Sequence, residues 1–303
     1  WSSDVCSSDL ISKHYERCEC MFEMVKEYAG QERNTEWYDK YVETYKWVEE
    51  QGILIDEKLF DKYFETPWKG RSMHGGKIYS SYNLYNITSR PTNAFNSINF
   101  LAFNKDNHSR TAFIPQNDTF VEFDFDGYHL RLVANTFGFE LPVDQSVHEY
   151  LGKQYFGKDE LTPEEYQESK KITFRQMYNG VEDQYKHIEF FQHVSEFLEA
   201  LWEQYKHVKY LQLPNLRRII VENGNPQKIF NYYIQCLETV NNVRKLSKLR
   251  DFLKNKQSKV VLVVYDSVLI DYAAEDRCLP QIKAILEEDG YRVKAKKGSN
   301  YNF

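Results

Sequence analysis

Lys259-Val-Val-Leu-Val-Val-Tyr-Asp-Ser-Val-Leu-Ile-Asp271 decides how this chain is read. Val260 to Val264 form an unbroken apolar run, Tyr265-Asp266-Ser267 interrupts it, and Val268 to Ile270 resumes it. Two short apolar runs around a polar break predict two strands joined by a tight turn, with the Asp266 carboxylate at the tip. Two-residue hairpin turns normally use Asn-Gly or Asp-Gly, whose backbones tolerate positive φ. Neither occurs here, so Asp266 is either kept for chemistry or is an ordinary exposed loop aspartate. The choice depends on whether the rest of the chain brings a second carboxylate to the same place.

Such a segment lies upstream, at Phe120-Val-Glu-Phe-Asp-Phe-Asp-Gly-Tyr-His-Leu-Arg131. Val121, Phe123 and Phe125 alternate with Glu122, Asp124 and Asp126, a period of two that predicts a strand with its carboxylates on one face. A strand with one face in water has the same pattern. The segment does not end in a turn, however: after Gly127, Tyr128-His-Leu-Arg-Leu-Val-Ala134 reads as the first turns of a helix packed behind the strand. A strand-end carboxylate and a hairpin-tip carboxylate, far apart in sequence, can together clamp Mg²⁺, which takes one or two Asp oxygens and fills its shell with waters and phosphates.

Between them, Leu161 to Gly180 carries helix punctuation. Thr162 is the expected N-cap, Pro163 suits the first helical position, Glu165 completes a capping box, and Asn179-Gly180 is the stop. Lys170, Phe174 and Tyr178 recur every four residues and so share one stripe. A lysine heading a core stripe is out of place. A cation followed by two aromatic rings suits the phosphates and then the sugar or base of a nucleotide.

In this order, the three segments resemble motifs A, B and C of family A DNA polymerases (the DNA polymerase I type). Motif A of that family is an Asp followed by an aromatic residue and, further on, a hydrophobic-Arg pair, matched by Asp124-Phe125 and Leu130-Arg131. Motif B is matched by Lys170, Phe174 and Tyr178, and motif C by Tyr265-Asp266. Thr88-Ser-Arg-Pro-Thr92 resembles the segment whose arginine reaches the incoming nucleotide and primer end, a place taken by Arg90. Ser109 to Pro115 resembles the stretch leading into motif A, and Asn223-Gly-Asn-Pro-Gln227 the Asn-x-x-x-Gln that contacts primer and template. The likeness covers residues 78 to 303.

The resemblance implies template-directed DNA synthesis by two-metal nucleotidyl transfer on a primed DNA template, with deoxynucleoside triphosphates as substrates. Asp124, Asp266 and the backbone carbonyl of Phe125 would hold two Mg²⁺ ions. Lys170 would meet the triphosphate and protonate the leaving group, and Arg90 would add a second cation. Phe174 and Tyr178 would stack on the nascent pair and sugar. Asn223, Gln227, Tyr265 and Ser267 would touch primer and template. A phage-like origin, a cytoplasmic location, and processivity or replisome factors as further partners go with this reading.

Several positions depart from the family. It usually has Glu where His129 stands, a position under the sugar that helps exclude ribonucleotides. It has a second carboxylate at Ser267, His at Tyr265, and an Arg at Tyr166. Asp-Ser at motif C is what single-subunit phage-type RNA polymerases carry, although those enzymes lack the aromatic at Phe174. A relative of those enzymes and a non-catalytic primer-template binding module therefore stand as alternatives.

The expected fold class is α+β: a polymerase right hand with an antiparallel palm sheet and helical fingers, and a thumb that is reduced or absent. The expected division is 11–77 helical with a reduced thumb, 78–145 palm, 146–215 fingers and 216–303 palm. Trp47 to Asp56 resembles the stretch before a thumb, and too little chain follows it before Arg90 for a full one. Asp4-Val-Cys-Ser-Ser-Asp-Leu10 is what one frame of a sequencing adapter encodes, so residues 1–10 are expected to be an artefact. Trp68 to Lys77 reads as a Gly-rich basic loop that touches phosphate or serves as a linker.

Composition is permissive. The net charge of −6 gives no global signal for nucleic acid, so cations must be local, as in Arg244 to Arg250. The same cluster also suits a solvated helix face. Of five cysteines, Cys6 lies in the suspected artefact and Cys18 and Cys20 lack a second pair for zinc. Cys236 and Cys278 stand alone, which suits a reducing compartment. The sequence contains no apolar run of membrane-spanning length.

Overall fold

The computed structural model describes residues 35–64, 73–93, 97–100, 103 and 105–303. The suspected artefact at 1–10, the expected helical segment before Thr35, Cys6, Cys18 and Cys20, and Trp68 to Ser72 of the basic loop lie outside them. Residues 37–303 form one compact unit.

The chain opens with helix α1 (Thr35–Glu49), strand β1 (Ile53–Ile55) and helix α2 (Glu57–Tyr63). Short strands β2 (Met73–His74), β3 (Lys77–Ile78), β4 (Tyr82–Asn83), β5 (Thr92–Asn93) and β6 (Phe113–Ile114) lead into strand β7 (Thr119–Phe125). Helices α3 (Tyr128–Phe137), α4 (Val147–Phe156), α5 (Pro163–Asn179) and α6 (Glu189–Val208) follow, then strands β8 (Leu211–Gln212) and β9 (Arg218–Ile219). Helix α7 (Pro226–Leu253), strands β10 (Lys259–Val264) and β11 (Ser267–Tyr272), helix α8 (Leu279–Glu287) and strand β12 (Val293–Gly298) complete the chain.

The expected hairpin is β10–β11, with its turn at Tyr265-Asp266. The expected carboxylate strand is β7, and β11 pairs with it antiparallel, Ser267 opposite Asp124. On its other edge β7 pairs with β12, Lys294 opposite Asp124. The main sheet therefore runs β10-β11-β7-β12, antiparallel throughout, while helices α3 to α7 fall between β7 and β10 in sequence. This is the α+β class that the sequence predicts.

Both faces of β7 are covered over most of its length, which corrects the option of a wet face: Glu122 is 5% exposed. Val121, Phe123 and Phe125 pack with Val260, Val263, Val268 and Ile270 against α1, α3, α7 and α8. Phe120, Val261, Leu262 and Leu269 face the opposite way, onto Ile53, Ile78, Phe100 and Phe113. Burial on both faces explains the unbroken apolar run, and a register shift between Val260 and Leu262 lets the adjacent Val261 and Leu262 share the second core. A third core joins α3, α4, α5, α6 and α7 around Leu130, Val147, Met177, Phe191 and Ile229.

The second sheet runs β2-β3-β1-β6. The described end of the Gly-rich basic loop forms its β2–β3 hairpin, with Gly75 and Gly76 both left-handed at the turn. The helix punctuation expected around Thr162 is present in full, with Thr162 Oγ1 accepting from the Glu165 amide and Glu165 reaching back to the Thr162 amide. The cluster from Arg244 to Arg250 is not the free cationic patch the sequence suggests. Arg244 pairs with Asp289, Lys248 with Glu288 (2.5 Å), and Arg250 with Glu43 (3.2 Å). Lys245 is buried, donating to the Glu288 carbonyl at 3.1 Å. Cys236 and Cys278 are buried free thiols. Among the described residues no helix is long and apolar enough to cross a membrane.

Gly127 joins β7 to α3 in the left-handed region, φ +60°. A Cβ there would stand 3.1 Å from Cβ of Val147. Gly127→Ala is expected to destabilise the protein by about 1–2 kcal/mol through backbone strain alone, with the contact adding to it. Chemical denaturation of the two proteins checks this, and equal midpoints would refute it.

Candidate active site

The edge between β7 and the hairpin tip is fixed by backbone bonds. The Phe125 amide donates to the Asp266 carbonyl (3.0 Å), continuing the ladder that sets Ser267 opposite Asp124. Asp124 and Asp266, far apart in sequence, therefore stand side by side at the mouth of a cavity of about 470 Å³. Arg90, Phe125, His129, Lys170, Phe174 and Tyr178 line the same cavity, so eight of the predicted site residues converge on it. Tyr265 and Ser267 flank Asp266 at the turn without lining it.

Asn223 and Gln227 do not reach the cavity. Asn223 precedes α7 with a left-handed backbone, φ +50°, and Gln227 lies against Gly180 at the end of α5. This segment serves to open the helix, with Asn225 capping it by accepting from the Lys228 amide (2.8 Å). The Asn-x-x-x-Gln spacing recurs at Asn231 and Gln235 inside α7. There, three- and four-residue steps place both on the face that carries Glu238 into the cavity.

Arg90 is delivered by a tight turn. The carbonyl of Ser89 accepts from Tyr41 Oη (2.6 Å), and the Ser89 hydroxyl accepts from Asn215 (3.0 Å) and Arg217 (3.2 Å). Arg90 then donates through Nε and Nη2 to the two oxygens of Glu238 (3.0 and 2.8 Å). Its guanidinium lies 3.6 Å from the ring centroid of Tyr265. Tyr265 itself is left-handed, φ +53°, a conformation costly for a bulky residue, and Asn242 Nδ2 donates to its carbonyl (2.9 Å).

The α5 stripe faces the cavity as its spacing predicts. Phe174 and Tyr178 lie parallel with centroids 6.2 Å apart, and Phe174 is 45% exposed, a bare ring at the opening. Lys170 Nζ sits 4.6 Å over the ring of Tyr166, the residue that departs from the family pattern. Tyr178 Oη is hydrogen-bonded to Nδ1 of His129, and Nε2 of His129 to Glu238.

The charges are uneven. Asp266, open to solvent on one side and enclosed on the others, is pushed up to about 6 by that enclosure and by the charges of Asp124 and Glu238. Burial and Glu122 raise Asp124 as well, against Lys296, Lys294 and Lys105. Asp126 behaves oppositely. Burial acts to raise it, but its hydrogen bond to Lys294, with the charges of Lys294 and Arg131, outweighs that and holds it below the ordinary value. Neither Asp124 nor Asp266 has a side-chain hydrogen-bond partner among the described residues.

Two adjacent under-neutralised carboxylates beside a backbone carbonyl fit Mg²⁺, whose shell is completed by water and substrate phosphate. They do not fit a metal held by protein alone, since among the described residues no group of three or more His, Cys, Asp or Glu is placed to hold one.

Glu238, His148, Lys294 and Lys296 line the cavity and escaped the sequence reading. Glu238 is 1% exposed, in the middle of α7, and only the tertiary fold shows what it touches. His148, on α4, lines the cavity against the Phe174 ring. Burial, with repulsion from Lys170 and Lys294, lowers it to about 4 despite Asp126, so it is neutral near pH 7. Its Nδ1 and Oδ2 of Asp126 are buried without partners. Its signal was its place shortly before the capped α5 helix.

No protein-family profile matches the sequence, and neither does any curated protein. Among solved structures, the chain is similar to the POL domain of Pol1 from M. smegmatis, in complex with DNA primer-template and dNTP, with a TM-score of 0.65 at 15% identity. The match takes in 78% of this chain and 50% of that one. The chain has a polymerase-type fold. It spans about half the length of the polymerase chain it matches.

Because Asp266 is raised above the unfolded value of 3.8, its ionisation opposes folding. The penalty is absent below pH 3.8, grows through about pH 6 and is complete above it. Solvent on the open side screens it to the order of 1 kcal/mol. Metal-free Asp266→Asn should therefore melt above the wild type at pH 8 and level with it at pH 4. Added Mg²⁺ should raise the wild-type midpoint more than the variant's. Calorimetry at the two pH values decides, and an equal difference at both refutes the assignment.

Proposed function

We propose that this chain is a template-directed DNA polymerase core that adds deoxynucleotides to a primer 3′ end. The observation that carries the reading is the convergence of Asp124, Asp266, Lys170, Arg90 and the Phe174–Tyr178 rings on one cavity, in a fold shared with a polymerase domain. The share of that domain this chain spans makes its independent activity part of the proposal. On this reading 78–145 and 216–303 are palm, 146–215 fingers, and 11–77 a helical segment with a reduced thumb.

In the reaction, the primer 3′-oxygen forms a bond to the α-phosphorus while the bond to pyrophosphate breaks. Two Mg²⁺ ions, when bound by Asp124 and Asp266, would supply activation of the primer hydroxyl and neutralisation of the departing charge. Lys170 meets the triphosphate and donates a proton to the leaving oxygen, a general-acid role worth about 10²–10⁴-fold. Neutral His148 supplies a ring nitrogen with no partner among the described residues, on the same side of the cavity as Lys170. Phe174 stacks on the base pair and Tyr178 under the sugar. Arg90 marks the primer end, Tyr265 and Ser267 border it, and Asn231 and Gln235 follow it along α7 as better-placed template contacts than Asn223 and Gln227. Sequence is read by base pairing, so the protein chiefly positions and neutralises.

Primer extension with Mg²⁺ on a primed DNA template, run with deoxy- and ribonucleotides in parallel, tests this. Deoxynucleotide extension should fall at least about 10²–10³-fold in Asp124→Ala, the scale of losing one transition-state stabiliser, while primer-template binding persists. Ribonucleotide extension at a comparable rate would favour a single-subunit RNA polymerase relative. Folded protein that binds primer-template and extends neither would be a non-catalytic binding module.

A further inference from the structure

The Glu238 carboxylate is the most connected group in the site, yet no expected role uses it. Its side chain is 2% exposed and accepts both Arg90 donors, while Oε2 also meets Nε2 of His129. His129 passes the contact on through Nδ1 to Tyr178 Oη. Arg90 passes it the other way to the Tyr265 ring, next to Asp266. One carboxylate thus ties α3, α5, the Arg90 turn and the hairpin tip to α7. A buried acid would be costly unpaired, and the Arg90 pair neutralises it.

We propose that Glu238 is the positioning residue of the nucleotide's sugar-facing wall, and that the His129–Glu238 pair does there the work a single carboxylate at position 129 does in the polymerases this chain resembles. The inference rests on the polymerase reading above.

The chemistry follows from donors and acceptors. Glu238 accepts from Nε2–H, which leaves Nδ1 as an acceptor for the Tyr178 hydroxyl proton. The tautomer of His129, and through it the rotamer of Tyr178, are therefore set from α7. Locked in this way, neither ring can swing aside to admit a 2′-hydroxyl. A histidine alone, without the carboxylate behind it, would have two tautomers and a freer ring. Tyr178 would then lose its fixed partner. Arg90 would lose its anchor at the same time, so nucleotide binding should suffer more than the chemical step run by Asp124 and Asp266.

The test is single-nucleotide insertion by the full chain, with the kcat/KM ratio of deoxy- to ribonucleotide as readout. Glu238→Gln should lower that ratio by about 10-fold or more, the scale set by one specificity contact, with KM for the deoxynucleotide rising more than kcat falls. Combining it with His129→Glu moves the carboxylate to the family position and should restore the ratio. Glu238→Asp, which keeps the charge but shortens the reach, should fall between wild type and Glu238→Gln and serves if the latter does not fold. An unchanged ratio in Glu238→Gln or Glu238→Asp would overturn the inference while leaving the polymerase reading intact. So would a folded double variant with no recovery. Absence of insertion by the wild type would sink both.

Discussion

Everything at this site depends on the pairing of two strands whose sequences lie far apart. β11 pairs with β7 so that Ser267 faces Asp124, and the bond from the Phe125 amide to the Asp266 carbonyl carries the ladder into the turn. Side chains alternate with period two along a strand, so a slip of one residue would turn Asp124 into the core and Phe125 to the cavity. Burial on both faces of β7 forbids that slip, because Phe120 and Phe123 each belong to a different core. The register that serves packing is the same one that sets two carboxylates side by side.

That placement is unfavourable in itself. Burial and the Asp124 charge raise Asp266, burial and Glu122 raise Asp124, and the turn that presents Asp266 holds Tyr265 at a positive φ, a strain of about 1–3 kcal/mol. Local sequence preference would put glycine there. The surroundings hold it instead: Arg90 against the ring, Asn242 on the carbonyl, and the β10–β11 ladder, buried along its middle, behind it. A rule broken locally and offset by its neighbours is the pattern expected of a functional position. The contrast with Asp126, neutralised by Lys294 within the same strand segment, shows that the fold can pair an acid here and leaves these two without such a partner.

Much of this was legible in the sequence because it rests on local periodicity. The β7 alternation, the Thr162 capping box, the four-residue step from Lys170 to Tyr178 and the broken apolar run at Tyr265 each have a short-range physical cause. The remainder has none. Glu238, Asn241, Asn242 and Lys245 are polar residues buried on one long helix, and a reading by amphipathicity takes such residues as its solvent face. The same error made Arg244 to Arg250 look like an open cationic patch. The Asn-x-x-x-Gln spacing occurs twice, at Asn223 and Gln227 and again at Asn231 and Gln235, and the sequence reading took only the first. Spacing alone cannot separate a residue in the helix, such as Asn231, from one just before it, such as Asn223. His148 needed the α4–α5 packing to bring it to Phe174.

Helix α7 is therefore more than a support. Its buried acid and amides reach α3 through Asn241 and Asn242 on Tyr128, the hairpin through Asn242 on Tyr265, and the Arg90 turn and α5 through Glu238. Tyr128 in turn stacks on Phe125 at 4.2 Å, beside Asp124. The contacts of α7 with Tyr128, His129 and Arg90 join residues more than a hundred positions apart, so the polar network can close only when the sheet and the helical insertion are both in place. An incomplete network would leave a buried carboxylate or guanidinium unpaired, which is strongly disfavoured. The arrangement thus couples assembly of the site to completion of the fold. A partly folded chain would have the carboxylates without the wall, and the wall without the cation that steadies the hairpin tip.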